Sequence, residues 1–176
     1  VMANLAVVGQ SVYRKDANPK VTGRALHVGN IEIPGMLHVA VLRSPYPHAR
    51  VRRIEKSKAQ GLDGVVAVLT GAEIAKMPGV DPYYGPAFRD QPILAVDKVC
   101  YVGDPVVAVA AKDQRTAEDA LQLVEVDYEP LPAVFDVLGA VKLESPLVHE
   151  KHRPAKAFAD LAHVKAGQQS NICYHF

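Results

Sequence analysis

The chain has 176 residues, of which 49% are apolar and 22% charged, and its net charge is +1. That is the balance of an ordinary globular domain, with no basic stripe for nucleic acid and no polybasic face for a membrane surface. Two cysteines, Cys100 and Cys173, are too few for a disulfide framework or for the four thiolates of an iron–sulfur cluster. They are expected as reduced thiols. The apolar runs 65–69 and 106–111 are far shorter than a membrane span, and the first residues lack a basic region and a cleavage site. A cytoplasmic location follows as the expectation.

Residues 1–24 read as an irregular lead-in, punctuated by Asp16, Asn18, Pro19 and Gly23. Ala25 to Ile33 suits a strand, Pro34-Gly35 a turn, and Met36 to Arg43 the second arm of a hairpin. The segment Arg43-Ser44-Pro45-Tyr46-Pro47-His48-Ala49-Arg50 then breaks regular structure, because each proline removes a backbone donor and fixes φ. His48 to Ile54 resumes as a strand. Val65 to Leu69 is a short buried strand, followed by a capping box, Thr70-Gly71-Ala72-Glu73, that starts a helix running to about Met77. The stretch 78–92 holds four prolines and two glycines and predicts a long surface loop. Ile93 to Val102 reads as a strand interrupted at Asp97-Lys98.

The block from Val99 to Pro132 is the most legible part of the chain. Val106 to Ala111 is almost wholly apolar, which predicts a strand covered on both faces. Asp113 sits at an N-cap position, and Ala117, Ala120, Leu121 and Val124 recur at helical spacing. The period then switches to two, with Val124, Val126 and Tyr128 alternating with Glu125, Asp127 and Glu129. Strand, helix and strand joined by short links predict a parallel pair with a right-handed crossover. Residues 136–142 suit one more short helix. Residues 150–171 are polar and weakly patterned and read as a linker. The expected class is α+β, a mixed β-sheet with a β-α-β unit over Val106–Glu129 and short capped helices.

Candidate chemistry is sparse. No phosphate-cradling glycine loop, no C-x-x-C and no nucleophile elbow occurs. His149 and His152 stand three apart, as zinc ligands can, but Pro146 and Pro154 bracket them and no third ligand is evident. His27, His38 and His48 lie on or beside predicted strands and read as ordinary strand and loop histidines. The carboxylates Asp81, Asp90, Glu125, Asp127 and Glu129 show no acid–base pairing, and the last three fit a solvated strand face. The most unusual polar segment is the proline-braced loop, which would present Arg43, His48 and Arg50 to a partner or an anionic ligand. The competing view makes it a plain crossover whose arginines pair with nearby carboxylates.

Five segments in order, VGQSVYRKDANPKVTGRALHVGNIEIPGML, VLRSPYPHARV, GVVAVLTGAEI, PILAVDKVCYVGDPVVAVAA and TAEDALQLVEVDYEPLPAV, with a closing LVHE, resemble the large subunit of molybdenum hydroxylases. This is the xanthine dehydrogenase and aldehyde oxidase family, and the wording is most similar to bacterial members such as carbon monoxide dehydrogenase large chains. The resemblance implies an N-terminal α/β-hammerhead domain over 25–149, after the lead-in 1–24 and before a linker, 150–176, toward a molybdopterin-binding domain outside this chain. It implies an oxidoreductase acting on an aldehyde, a heteroaromatic or a similar small substrate, with oxygen derived from water. Molybdopterin, two [2Fe–2S] clusters and FAD would be carried by other domains or subunits, with no cofactor held by this chain alone. The family's catalytic and cofactor segments lie further along, so the resemblance assigns no catalytic, cofactor or metal residue here. The chain then reads as a fragment or one piece of a split enzyme, non-catalytic by itself. Two other readings differ in class: a free-standing binding or scaffold domain on this fold, and a small metalloenzyme built on His149 and His152.

Overall fold

A computed structural model of the chain describes residues 7–85, 90–142, 144–150 and 170–172. Two compact units divide it, Val1–Met36 and Leu37–Phe176.

In the first unit, α1 (Ala17–Val21) follows Asp16. Arg14 at 2.5 Å and Lys20 at 2.6 Å flank the Asp16 carboxylate and hold its pKa below the usual value. The strand expected at Ala25–Ile33 does not form. A 3₁₀ turn at Val28–Asn30 occupies it, with Leu26 and Val28 exposed. Val-Gly-Asn bends the chain, and among the described residues no strand pairs with this segment to supply the ladder that an extended segment needs. The Pro34-Gly35 turn does form: Gly35 takes φ +79°, and the Met36 amide donates to the Ile33 carbonyl at 2.9 Å.

The second unit carries the remaining elements in the order β1 (His38–Arg43), β2 (Ala49–Glu55), α2 (Ser57–Gln60), β3 (Val65–Thr70), α3 (Gly71–Ile74), β4 (Tyr83–Tyr84), β5 (Gln91–Pro92), β6 (Lys98–Val99), β7 (Pro105–Ala111), α4 (Gln114–Leu121), β8 (Glu125–Pro130) and α5 (Val137–Ala140). They build two three-stranded antiparallel sheets, β1-β7-β3 and β6-β2-β8, and a small β4-β5 hairpin inside the proline-rich loop.

The apolar strand β7 sits at the centre of its sheet, between β1 and β3, where both of its edges are paired. Val106 on one face, and Val107 and Val109 on the other, are fully buried. Helix α4 lies against β1 and β7. Its start is fixed as the sequence predicts, the Asp113 carboxylate accepting from the Thr116 amide at 2.8 Å. Ala117 and Ala120 face inward, while Glu118, Asp119 and Gln122 face water. The expected parallel pairing of β7 with β8 is absent. Helix α4 instead carries the chain from one sheet to the other, and β8 pairs antiparallel with β2. Residues of both sheets meet in one core built around Ala49, Val68, Val99, Val106, Val107, Val109 and Val124.

The stretch Ile93–Asp97 is also not a strand. Leu94 and Ala95 are buried, and the Ala95 amide donates to the Pro105 carbonyl at 2.7 Å. Helix α3 presses on this backbone. A Cβ added at Gly71 would lie 2.2 Å from the Ala95 carbonyl oxygen, so only glycine fits. The capping box forms, and the Glu73 carboxylate also receives Lys56 Nζ at 2.5 Å. The helix nevertheless ends at Ile74, short of the expected Met77.

Candidate functional site

The proline-braced loop joins one sheet to the other, running from the end of β1 to the start of β2. Its turn is self-supporting. The Ser44 hydroxyl is buried and accepts from the Tyr46 amide at 3.0 Å. The Ser44 backbone is clamped to the turn before β7: its amide donates to the Asp104 carbonyl at 2.9 Å, and its carbonyl accepts from the Gly103 amide at 2.8 Å. The Tyr46 ring tilts at 50° against Tyr128 of β8, with centroids 5.2 Å apart.

The three candidate residues of this loop have different environments. Arg43 is exposed, and one of its Nη atoms donates to the Gly103 carbonyl at 2.9 Å. Arg50 is exposed on β2, paired in register with Lys98 on one side and Glu129 on the other. His48 is only 7% exposed. Its Nδ1 lies 2.6 Å from the Pro132 carbonyl, and its Nε2 lies 3.1 Å from Lys98 Nζ. A carbonyl only accepts and an ammonium only donates, so these partners select the neutral ring with the proton on Nδ1. Both ring nitrogens are therefore engaged within the molecule.

Lys98 is the hub of this network. Besides His48 it donates to the Glu150 carboxylate at 2.8 Å and toward the Leu147 carbonyl at 3.4 Å. Burial pushes the Glu150 carboxyl up, but the Lys98 hydrogen bond and charge outweigh it and leave the group below its usual value. Next to Lys98, the Cys100 amide donates to the Asp104 carboxylate at 2.8 Å and the Cys100 thiol donates to the Val148 carbonyl at 3.5 Å. Burial pushes that thiol up to about 11 and raises Asp104 above the usual carboxylate range. Cys100 is thus a free, protonated, unreactive thiol. Asn171 completes the clasp by accepting from the Val148 amide at 2.9 Å and donating to the Pro146 carbonyl at 2.8 Å. Lys98, Asp104 and Asn171 carry no local sequence signal for this role, apart from the break at Asp97-Lys98 in an apolar run.

The other candidates fall apart. His149 lies near Asp104, whose carboxyl it lowers, while its expected companion His152 lies outside the described residues, as does Cys173. His38 opens β1 opposite Ala111, and His27 is exposed in the first unit. Glu125 pairs with Lys58 at 3.0 Å and Glu129 pairs with Arg52, the solvated strand face anticipated from the alternation. Among the described residues, no three His, Cys, Asp or Glu side chains converge to hold a metal ion. No helix among them is long and apolar enough to cross a membrane.

Residues 22–132 match the family described as aldehyde oxidase and xanthine dehydrogenase, a/b hammerhead domain. The chain is 38% identical over 168 residues to the 6-hydroxypseudooxynicotine dehydrogenase complex subunit gamma of Paenarthrobacter nicotinovorans, covering 89% of this chain and 21% of that one. It is 35% identical over 143 residues to the nicotinate dehydrogenase large molybdopterin subunit of Eubacterium barkeri, covering 81% of this chain and 33% of the relative. Among solved structures, the reconstituted CO dehydrogenase from Oligotropha carboxidovorans aligns with a TM-score of 0.73 and 38% identity, over 79% of this chain and 17% of that one. The chain therefore spans between about a sixth and a third of such curated relatives.

Proposed function

Because the chain belongs to the aldehyde oxidase and xanthine dehydrogenase a/b hammerhead family, we propose that it is the N-terminal structural module of the large subunit of a molybdopterin-dependent oxidoreductase. The reaction we assign to the whole assembly is oxidation or hydroxylation of an aldehyde, a heteroaromatic or a similar small substrate with oxygen derived from water. The module itself is non-catalytic and packs beside molybdopterin-binding domains, with iron–sulfur and FAD subunits as further partners. We place it in the cytoplasm, in keeping with its free thiol. The observation that carries this reading is the family match over 22–132.

Molybdopterin carries a phosphate, yet the surface cleft between β2 and β8 is lined by Glu55, Glu125 and Asp127 beside Arg53 and Val126. Three carboxylates repel such a group. The residues of this cleft do not fit the cofactor, and no step of the reaction is routed through them. His48, Lys98 and Asp104 resemble the polar groups of an active site, but their hydrogen bonds are spent inside the module: Lys98 holds Leu147 and Glu150, His48 meets the Pro132 carbonyl, and Asp104 accepts from the Cys100 amide. Their role in this reading is to set the shape of the module.

Purification of the native assembly through a tag on this chain, followed by mass spectrometry, tests the reading. A polypeptide or covalently continuous segment of the molybdopterin-binding type is the expected companion. Recovery of the chain with no such companion overturns the proposal in favour of a free-standing binding domain.

A further inference from the structure

One surface of the second unit combines exposed aromatic rings with an arginine that no carboxylate neutralises. Four of the seven described arginines sit beside an acid: Arg14 with Asp16, Arg52 with Glu129, Arg53 with Glu55 and Arg115 with Asp119. Arg43 makes no such pair among the described residues. Its single described bond, to the Gly103 carbonyl, fixes the side chain without cancelling its charge, and the rest of the guanidinium fork stays available for a carboxylate. The turn that supplies Gly103 also exposes Tyr101 (54%) and Val102 (63%), and the β4-β5 hairpin contributes Tyr84 (53%). The Arg43–Gly103 bond sets Arg43 beside the turn of Tyr101 and Val102, and Tyr84 is near enough to act on the Tyr101 phenol. Burial, then Asp104 and Tyr84, raise the Tyr101 phenol, while Arg43 acts in the opposite direction. Asp104 does not neutralise the surface charge, being 3% exposed and hydrogen-bonded to the Cys100 amide.

We propose that Arg43, Tyr84, Tyr101 and Val102 form a docking surface for a polypeptide segment that presents an Asp or Glu carboxylate beside apolar side chains. The inference rests on reading the chain as one module of a larger assembly. Charge and composition choose the occupant. With Arg43 as its one cation among the described residues, on a chain of net charge +1, the surface does not suit the repeated phosphates of nucleic acid or an anionic membrane. Tyrosine and arginine around an apolar centre are the composition of a protein–protein hot spot. The bond to Gly103 holds Arg43 in place before docking, so little side-chain entropy is lost when the partner arrives. Covering the site removes water from the ion pair and strengthens it.

The test uses the full assembly, purified through this chain at about 0.15 M salt, with p-benzoylphenylalanine in place of Val102 as a photo-cross-linker. The expected product joins position 102 to a peptide of another chain or module that contains Asp or Glu. Arg43→Gln keeps a donor for the Gly103 carbonyl but loses the charge. It should lower that cross-link about tenfold or more, as loss of a hot-spot contact does, whereas Arg43→Lys retains most of it. Tyr101→Ala should lower it as well. Wild-type yield in both Arg43→Gln and Tyr101→Ala, or a cross-linked peptide without a carboxylate, overturns the docking surface. A molybdenum-containing assembly with no cross-link at 102 also overturns it, and leaves the module reading standing. A molybdenum-free assembly cross-linked through an acidic segment does the reverse, and a chain with no companion at all overturns both.

Discussion

At the scale of single residues, close backbone approach and buried charge give the sharpest expectations. Gly71→Ala would force a Cβ within 2.4 Å of the Leu94 carbonyl oxygen and still closer to that of Ala95. Helix α3 must then back away from the buried 94–95 segment, and urea unfolding should show a loss of about 2 to 3 kcal/mol. Gly29→Ala meets nothing within 4 Å and should change stability by less than about 0.5 kcal/mol. Asp104 gives a pH signature. Its folded pKa lies above the ordinary 3.8 because burial penalises the carboxylate. Its contribution is therefore fully present below the unfolded value and is lost as pH rises through the folded one. Asp104→Asn keeps an oxygen to accept from the Cys100 amide and carries no charge. Thermal melts of the two proteins should diverge as pH rises above the ordinary 3.8, with the variant gaining on the wild type. Parallel curves would mean that Asp104 is not penalised by burial.

At the scale of elements, the strands carry the stability unevenly. Val109 is fully buried on β7, whereas Val66 on the edge strand β3 is 56% exposed. Val109→Ala should cost about 2 to 3 kcal/mol in denaturant unfolding, and Val66→Ala less than about 0.5 kcal/mol. Equal costs would contradict the placement of β7 at the centre. The local elements were legible where a short-range rule governs them: the Asp113 cap, the Thr70–Glu73 box, and the alternation through Val126 and Tyr128. Partners were not legible. Alternation says which face of β8 is buried but not which strand lies beside it, so a helical crossover into a second sheet looks the same in sequence as one within a single sheet. Ala25–Ile33 failed for a related reason: a strand-like pattern does not name a partner, and among the described residues no strand pairs with it. Leu94 and Ala95 are buried by α3 rather than by strand pairing, and apolarity alone does not separate those two fates.

At the scale of the whole molecule, the ordered motifs from Val8 to Glu150 made the family legible before any contact was known, and the α+β class followed from the same segments. The candidate site was only partly legible. The proline-braced loop stood out because its composition is unusual. The burial of His48, in contrast, depends on Lys98, Pro132 and Glu150, which are 50, 84 and 102 residues distant in sequence, and the first two meet it only once the β6-β2-β8 sheet is assembled. With those groups turned inward, the docking surface proposed above lies around Arg43 and Tyr101. The central claim is that this module supplies architecture and a docking face, while redox chemistry belongs to its companions. Molybdenum and iron content, measured per mole of chain in the native assembly and again in each polypeptide after dissociation, tests that claim most directly. The account predicts both metals in the assembly, bound outside residues 1–176. Metal bound to these residues themselves, or a lone metal-free chain in the native preparation, would contradict it.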